Sequence, residues 1–314
     1  MNDQKPVDYL RLSLTDQCNL SCGYCKNPAG QEYASEEDVL NFSEIEFFVK
    51  TCADLGVRTV RLTGGEPLLR PDLPNLVRIL KKIDGIEEIC LTTNGVLLAK
   101  LLDPLLKAGL SRVNVSLDTL RPDRFHAVAG YACFSDVMDG IERLKQSGLR
   151  DCKLNMVLLN HVNDDEIFDF LKFSRSCRLI LRFIEFMRGT IAWTENYFIP
   201  VNTIQQRLRQ RSPLTYSGYS SRGPATYYDY DGQPVGFIRT TQQNCCRCTR
   251  LRLSSRGDLK VCLFQKQGVP LKPFLKRRDY TGLRAALRVL IRSKDHVDHT
   301  SWEPGNVSMS SIGG

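Results

Sequence analysis

The first residues with an evident chemical capacity are three cysteines, Cys18, Cys22 and Cys25, at spacing C-x3-C-x2-C. They follow an alternating apolar run, Tyr9–Leu14, that is typical of a strand. Thiolates are the soft ligands of iron–sulfur clusters and of zinc. Three thiolates leave one metal position without a protein ligand, and an open position can bind a reactant. The spacing favours an iron–sulfur cluster, because zinc more often takes C-x2-C pairs.

A second set of three cysteines, Cys245, Cys248 and Cys262, has the spacing C-x2-C-x13-C. Arg250 and Arg252 alternate just after Cys248, which places both guanidinium groups on one strand face beside the metal. On its own, this set fits structural zinc about as well as a cluster. With the first set in the same chain, a second iron–sulfur cluster is favoured. The two arginines suit phosphate, whose oxygens a guanidinium fork pairs well.

Length and composition set the frame for these sites. The chain has 314 residues, 42% hydrophobic and 25% charged, which fits one large α/β domain with an extension, or two domains. Twelve cysteines predict metal ligation or core packing in a reducing compartment rather than disulfides. The polar N-terminus and the lack of a long apolar run predict a cytoplasmic protein with no membrane partner. The net charge of +8 fits nucleic acid, a membrane surface or an anionic small substrate.

Six strand-like runs alternate with helical patterns in the first part of the chain. The strands are predicted near residues 9–14, 59–63, 87–92, 112–117, 153–159 and 179–186. Helices are predicted near 43–55, 73–83, 97–108, 134–147 and 164–175, the first capped by Ser43. Repeated βα units indicate a parallel sheet with both faces covered. Six units are too few for the usual eight-stranded barrel, so an open barrel or an open sheet is expected.

Polar residues follow each predicted strand, where α/β proteins bind ligands. The first four strands end in or are followed by the first cysteine set, Thr63-Gly64-Gly65-Glu66-Pro67, Thr92-Thr93-Asn94-Gly95 and Ser116-Leu117-Asp118. The fifth strand carries Lys153 and Asn155, and the sixth carries Arg182 and Glu185. Any one of these groups could serve only to form a turn, but together they indicate a shared site. Beyond residue 187 short antiparallel strands and a helix over 202–209 are predicted. We therefore expect domains at 1–188 and 189–314.

These motifs resemble those of a known enzyme superfamily. The spacing C-x3-C-x2-C with Tyr24 before the last cysteine resembles the radical S-adenosylmethionine (SAM) superfamily. Nearly the whole chain, roughly 9 to 314, resembles the GTP 3′,8-cyclase family of molybdenum-cofactor biosynthesis. The motifs that carry this are Gly-Gly-Glu-Pro-Leu, Val113–Thr119, Arg182–Met187, Gly223-Pro224-Ala225, the C-terminal cysteine set with Arg-Leu-Arg-Leu, and the ending Ile312-Gly313-Gly314.

The resemblance implies a partial (β/α)6 barrel with a C-terminal antiparallel and helical extension, two [4Fe-4S] clusters and SAM as cofactor. It implies that Cys18, Cys22 and Cys25 hold the cluster that cleaves SAM, and that Cys245, Cys248 and Cys262 hold the second cluster, which binds guanine. The residues matching SAM-binding positions are Tyr24, Gly64, Gly65, Glu66, Thr92, Ser116, Lys153, Arg182 and Met187. Those matching the GTP site are Arg11, Arg61, Arg250, Arg252, Gly313 and Gly314, and Arg250 and Arg252 are also assigned to catalysis.

The implied reaction converts GTP to 3′,8-cyclo-7,8-dihydro-GTP. A 5′-deoxyadenosyl radical from SAM takes the ribose 3′ hydrogen, the C3′ radical attacks C8, and one electron and a proton complete the product. The resemblance also implies three kinds of partner: an electron donor such as flavodoxin or ferredoxin, the next pathway enzyme (cyclic pyranopterin monophosphate synthase), and a second subunit in a homodimer. No nucleic-acid partner is expected.

The chain departs from the family at Thr59, where a lysine usually helps to bind the triphosphate, and at Thr249, where an asparagine is usual. Two residues, Lys26 and Asn27, separate Cys25 from Pro28 instead of one. Two rival readings stay open. One is another two-cluster radical SAM enzyme, such as a peptide modifier, which usually has more C-terminal cysteines and no Gly-Gly end. The other is a zinc-binding nucleic-acid protein, which would be colourless rather than brown.

Overall fold

A computed structural model describes residues 7–25, 33–35, 37–187, 190, 192, 194–219, 223–239, 248–263, 265 and 267–294. Six strands alternate with helices in the first part, as predicted. These strands are β1 (Tyr9–Ser13), β2 (Thr59–Thr63), β3 (Glu88–Thr93), β4 (Arg112–Ser116), β5 (Lys153–Leu158) and β6 (Ile180–Glu185). The helices among them are α1 (Phe42–Ala53), α2 (Leu73–Lys81), α3 (Leu98–Ala108), α4 (Pro122–Ala129), α5 (Phe134–Gln146) and α6 (Ile167–Ser176).

The extension contributes further strands and three helices to the described residues. The strands are β7 (Leu214–Tyr219), β8 (Thr226–Tyr230), β9 (Gln233–Ile238), β10 (Arg250–Leu253), β11 (Asp258–Lys260) and β12 (Val269–Pro270). The helices are α7 (Val201–Arg209), α8 (Lys272–Arg277) and α9 (Tyr280–Ser293). The predicted α/β architecture, a partial barrel followed by an antiparallel and helical extension, is confirmed.

The strands within the described residues form one 12-stranded sheet in the order β12-β11-β10-β1-β2-β3-β4-β5-β6-β9-β8-β7. The extension therefore borders the βα units on both sides. Strand β10 is parallel to β1, and β9 is parallel to β6, although both were predicted only as antiparallel strands. Each then pairs with an antiparallel neighbour of the extension, β11 or β8. The domain division at residue 188 stays a prediction.

The two faces of the parallel strands have different partners, because alternate side chains point to opposite sides. One face carries apolar side chains that are fully buried in the core cluster, such as Leu10, Val60, Leu91 and Leu154. The other carries polar side chains toward a central cavity. The sequence predicted two apolar, covered faces. One face is polar instead because the helices cover only the apolar face of the sheet.

Local details also differ from the sequence predictions. Helix α1 is capped by Asn41, whose side chain exchanges hydrogen bonds with Glu44 in a capping box, so Ser43 is not the cap. Helix α4 was not predicted; it is short and begins at Pro122, a favoured first-turn residue. Among the described residues, no helix has both the length and the apolar character needed to cross a membrane.

Candidate active site

The polar face of the sheet surrounds a cavity of about 290 Å³. Most residues predicted for the site line this cavity. They are Arg11, Cys18, Cys22, Tyr24, Cys25, Arg61, Gly64, Gly65, Glu66, Thr92, Ser116, Lys153, Arg182, Met187, Arg250 and Arg252. Cys245, Gly313 and Gly314 lie outside the described residues. The strand ends thus meet around one space, as a shared site requires.

The loop that carries the first cysteines is fixed by the turn after β2. Gly65 N donates to Thr15 O at 2.7 Å, and Glu66 N donates to Gln17 O at 2.7 Å. A Cβ on Gly65 would lie 2.2 Å from Gln17 O, and one on Gly64 would lie 2.5 Å from Thr15 O. Both glycines are therefore needed for the close approach of two backbones. In this structure that approach is to the cysteine loop itself.

Glu66 is buried and joins the turn after β2 to the end of β3. Its carboxylate accepts from Leu68 N at 3.0 Å, from Thr93 Oγ1 at 2.7 Å and from Asn94 N at 2.7 Å. Burial raises the pKa of Glu66 to about 7, against the hydrogen bonds that favour the charged form. Its carboxylate oxygens already accept hydrogen bonds from the protein. The predicted contact of this segment with SAM would therefore be made by backbone groups.

The first cysteine set is partly buried, and it lies beside an acidic side chain. Burial, then the nearby Asp118 carboxylate, raise the pKa of Cys22 well above its ordinary value. Burial, then Cys18 and Asp118, raise the pKa of Cys25 to about 12. Thiolates in such a place need a cation, and iron supplies one. The donor set therefore fits an iron–sulfur cluster.

The described residues contain no group of three or more His, Cys, Asp or Glu side chains converging on one metal ion. In a [4Fe-4S] cluster each thiolate binds a separate iron, so the ligands surround a cluster rather than a single ion.

Tyr24 and Asp118 form a hydrogen-bonded pair in the lining of the cavity. Tyr24 Oη donates to Asp118 Oδ2 at 2.5 Å, and Val157 N donates to Asp118 Oδ1 at 2.8 Å. Burial raises the pKa of Asp118 to about 6. Burial and then Asp118 also raise the pKa of Tyr24. The pair ties the cysteine loop to the ends of β4 and β5.

Two cysteines of the second set are described: Cys248 lies just before β10 and Cys262 lies just after β11. Lys294, just after α9, donates from Nζ to Cys248 Sγ at 3.5 Å, to Arg250 O at 2.8 Å and to Val261 O at 2.6 Å. Burial raises the pKa of Cys248, but Arg250 and Lys294 outweigh it and lower that pKa to about 6. The environment favours a thiolate, the form that binds metal.

Three predicted arginines lie in one row across neighbouring strands. In the strand register Arg252 of β10 pairs with Arg11 of β1, which pairs with Arg61 of β2. Burial, then Arg252, lower the pKa of Arg11 well below its usual value, and burial, then Arg250, lower that of Arg252 to about 10. Buried cations that depress one another's pKa form a site for a polyanion.

A hydrogen-bonded network holds two of the predicted basic residues in place. Arg182 Nε donates to Asn155 Oδ1 at 2.9 Å. With its amide oxygen turned toward both donors, Asn114 accepts from Arg182 at 2.7 Å and from Arg61 at 3.0 Å. Arg61 also donates to Tyr9 Oη and to Leu91 O. Neutral partners fix these guanidinium groups without cancelling their charge.

The remaining predicted residues sit around the same space. Arg61 Nη1 donates to Thr92 Oγ1 at 3.3 Å. Ser116 lies opposite Asn155 in the strand register, and Met187 follows β6. Burial, then Arg182 and Arg112, lower the pKa of Lys153 to about 8. Lys153 therefore carries a charge that an anion would stabilise.

Three polar residues that contact the cysteines or their neighbours received no individual role from the sequence: Asn94, Asp118 and Lys294. Asn94 Nδ2 donates to Cys18 Sγ at 3.7 Å and to Asn19 Oδ1 at 2.8 Å. Asn94 and Asp118 were expected at the shared site only because they stand at the ends of predicted strands. For Lys294, a single charge at a helix end, no local pattern gave a signal.

The departure at Thr59 has a clear structural context. Thr59 is fully buried and its Oγ1 donates to Glu88 Oε2 at 3.4 Å. Arg58, its neighbour, donates to Ala53 O at 3.0 Å and to Val57 O at 3.1 Å, on the helix side of the sheet. Arg58 therefore does not replace a lysine at position 59, as strand alternation predicted.

The fold and the cavity define a radical SAM protein, and comparisons with known proteins agree. Residues 12–174 match the Radical SAM superfamily, and residues 179–300 match a family described as Molybdenum Cofactor Synthesis C. The structure of SuiB from Streptococcus suis bound to its precursor peptide SuiA aligns with a TM-score of 0.64 at 17% identity, covering 91% of this chain and 67% of that chain. At that identity the likeness concerns the fold.

Curated relatives identify the particular family. A GTP 3′,8-cyclase of Moorella thermoacetica is 39% identical over 319 residues, which is 99% of this chain and 98% of the relative. One of Thermodesulfovibrio yellowstonii is 40% identical over 88% of this chain and 87% of the relative. The chain belongs to the GTP 3′,8-cyclase family, and the reading as a zinc-binding nucleic-acid protein is wrong.

Proposed function

We propose that this protein converts GTP to 3′,8-cyclo-7,8-dihydro-GTP, the first step of molybdenum-cofactor biosynthesis. The observation that carries the proposal is one cavity lined by both the first cysteine loop and the arginine row. The full-length relatives named GTP 3′,8-cyclase support it over a peptide modifier. Cys18, Cys22 and Cys25 would hold the cluster beside which SAM binds, and together the two groups would supply the radical chemistry that the reaction needs.

The protein's own residues orient the substrate and balance its charge, while the bound groups supply the difficult chemistry. Arg11, Arg61 and Arg252 bind the triphosphate from one cross-strand row. The Gly64-Gly65-Glu66 turn, Thr92, Ser116 and Met187 hold SAM between the cysteine loop and the strand ends. Lys153 and Arg182 stand near its carboxylate and ribose. Because Glu66, Asn114 and Asn155 are engaged by protein partners, these contacts are set before ligands bind.

A second cluster on Cys245, Cys248 and Cys262 is part of the proposal. Support comes from the two described thiols and from the cations beside them. The cluster would bind guanine at the end of the cavity where Arg250 and Arg252 stand, and Gly313 and Gly314 would reach the same end. In this scheme Arg250 and Arg252 fix the nucleotide for reaction.

Other parts of the proposal concern the wider setting. We take residues 1–188 as the radical SAM unit and 189–314 as the unit that completes the GTP site. An electron donor of the flavodoxin or ferredoxin kind and the next pathway enzyme are proposed partners, and a homodimer is the proposed assembly. A cytoplasmic location is proposed because free thiols and iron–sulfur ligands need a reducing compartment.

The test is an anaerobic turnover assay. The protein is reconstituted with iron and sulfide, given SAM, dithionite and GTP, and analysed by mass spectrometry. We expect 5′-deoxyadenosine together with a cyclised isomer of GTP. Deoxyadenosine without the isomer would contradict the proposed substrate. Neither product, from a protein with both clusters loaded, would contradict the activity.

A further inference from the structure

The arginine row does not end at the residues matched to the GTP site. From Arg61 it continues in the strand register to Cys90 of β3 and then to Arg112 of β4. Arg112 lines the cavity together with the other arginines of the row. Four arginines therefore occupy one cross-strand row, and the last of them has no role assigned by the family motifs.

Arg112 has hydrogen-bonding capacity that the protein leaves unused. Its Nη2 donates to Glu88, and its side chain is 22% exposed. Its Nε is buried and has no hydrogen-bond partner among the described residues. A buried guanidinium N–H without a partner is costly unless a ligand accepts from it. Arg112 lines the cavity, so its guanidinium group is within reach of an anion bound there.

The neighbouring strand explains why a cation is needed there. Thr59 lies opposite Glu88 in the β2–β3 register, at the position where the family usually has a triphosphate-binding lysine. Thr59 brings no charge, and the cation beside Glu88 comes instead from Arg112 on the next strand. We propose that Arg112 is a further substrate-binding residue, which contacts the terminal phosphate of GTP in place of the missing lysine.

The terminal phosphate is the part of GTP that the row's geometry brings to Arg112. This step rests on the proposed function, in which guanine lies at the second cysteine set beside Arg252. From Arg252 to Arg112 the row covers four strand spacings, about 19 Å at the usual separation of neighbouring strands. The phosphate farthest from guanine therefore meets the farthest arginine.

Charge balance at this end of the cavity also fits a phosphate. Arg61 and Lys153 stand close enough to Arg112 for their charges to influence ionisation: Arg61 disfavours the charged form of Arg112, and Arg112 disfavours that of Lys153. Glu88 is the carboxylate paired with Arg112, and it is 29% exposed, so water can solvate it when Arg112 turns to a phosphate. A guanidinium that exchanges a carboxylate for a phosphate keeps a charged acceptor throughout.

The test compares GTP and GDP binding to anaerobically reconstituted protein by calorimetry. Wild type should bind GTP more tightly than GDP. Arg112→Gln should weaken GTP binding roughly tenfold, the effect of one charge-assisted hydrogen bond, and leave GDP binding nearly unchanged. Arg143→Gln is the matched control, since Arg143 pairs with Asp103 on the outer helices. It should change neither affinity.

A second variant does not depend on losing Arg112. Thr59→Lys should tighten GTP binding several-fold without tightening GDP, and should restore GTP binding in the Arg112→Gln background. An Arg112→Gln protein with unchanged GTP affinity, or with equal losses for GTP and GDP, would overturn the inference alone. Wild-type protein that carries both clusters but does not bind GTP would overturn the proposed function, and the inference with it.

Discussion

The two cysteine sets present the same ligand in opposite electrostatic surroundings. Beside Cys22 and Cys25 stands the Asp118 carboxylate, and with burial it raises the pKa of both thiols. Beside Cys248 stand Arg250 and Lys294, which lower its pKa to about 6 despite burial. Negative surroundings disfavour the gain of an electron by a cluster, and positive surroundings favour it. The first site is thus suited to a strong reductant, and the second to an anionic substrate.

The two sets also differ in how the fold holds them. The first loop is held by backbone, through the hydrogen bonds of Gly65 and Glu66 to Thr15 and Gln17. At the second site β10 pairs with β1 through backbone, while one side chain, Lys294, joins the residues beside Cys248 and Cys262 by donating to Arg250 O and Val261 O. Backbone support leaves little freedom for change, whereas side-chain support can be altered by a single substitution. The first site should therefore tolerate mutation less.

The largest effects should come from removing a ligand at each site. Cys18→Ala should abolish SAM cleavage, because the first cluster loses one of its three ligands. Cys262→Ala should leave SAM cleavage possible but stop formation of the cyclised product. Chromatography of 5′-deoxyadenosine and of the GTP product measures both. Equal SAM cleavage by Cys18→Ala and wild type would contradict the role of the first site in SAM cleavage. Cyclisation of GTP by Cys262→Ala would contradict the role of the second site in product formation.

Gly65→Ala should disrupt the first site alone. The added Cβ would lie 2.2 Å from Gln17 O, so the cysteine loop must shift. We expect the loss of about four irons per chain after reconstitution, the content of one cluster, with the second site still loaded. Gly23→Ala, in the same loop with nothing within 4 Å of the added Cβ, is the control. Full iron content in Gly65→Ala would show that this contact does not fix the loop.

Lys294→Met should lower the reduction potential of the second cluster. One hydrogen bond from a charged donor contributes roughly 1.5 kcal/mol, which corresponds to about 60 mV for one electron if the bond favours the reduced form. Redox titration followed by electron paramagnetic resonance gives the potential of each cluster. The control is Lys272→Met, because Lys272 donates to Glu37 O and Asp38 O away from the cysteines. A change in the reduction potential of the first cluster alone would contradict the assignment of Lys294 to the second cluster.

A smaller effect is expected from the titration of Lys153, whose pKa burial and neighbouring arginines lower to about 8. As pH rises through 8, Lys153 loses its charge and the affinity for SAM should fall, by at most roughly fivefold between pH 8 and 9. Lys153→Gln should lack this component, and the difference between the two proteins isolates it from the titration of SAM itself. A pH dependence seen only in GTP binding would contradict the assignment of Lys153 to SAM and would assign it to the GTP site instead.

Much of the barrel could be predicted from the sequence because its strands carry local patterns. Strands β1 to β6 have alternating or β-branched apolar runs, and the cysteine spacing and Gly-Gly turn mark strand ends. The parallel pairing of β9 and β10 with the barrel edges could not be predicted. Those partners are distant in the sequence, and strand pairing over such distances leaves no local pattern.

Site residues that belong to sequence motifs could be predicted. Single residues that reach the site only because of how strands and helices pack could not. Gly64 and Gly65 were expected to allow close approach to a ligand, whereas their close approach is to Thr15 and Gln17. Arg112 and Lys294 belong to no motif, because their importance comes from the register of β3 with β4 and from the end of α9. Such roles appear only when strands and helices are placed together.

The central claim is that SAM and the GTP ribose meet in one cavity between the two cysteine sets. The most direct test is turnover of GTP that carries deuterium at C3′, with mass spectrometry of the 5′-deoxyadenosine released. The account predicts that the deuterium appears in 5′-deoxyadenosine and that the cyclised product has lost it. Unlabelled 5′-deoxyadenosine alongside a cyclised product that retains the deuterium would contradict this arrangement.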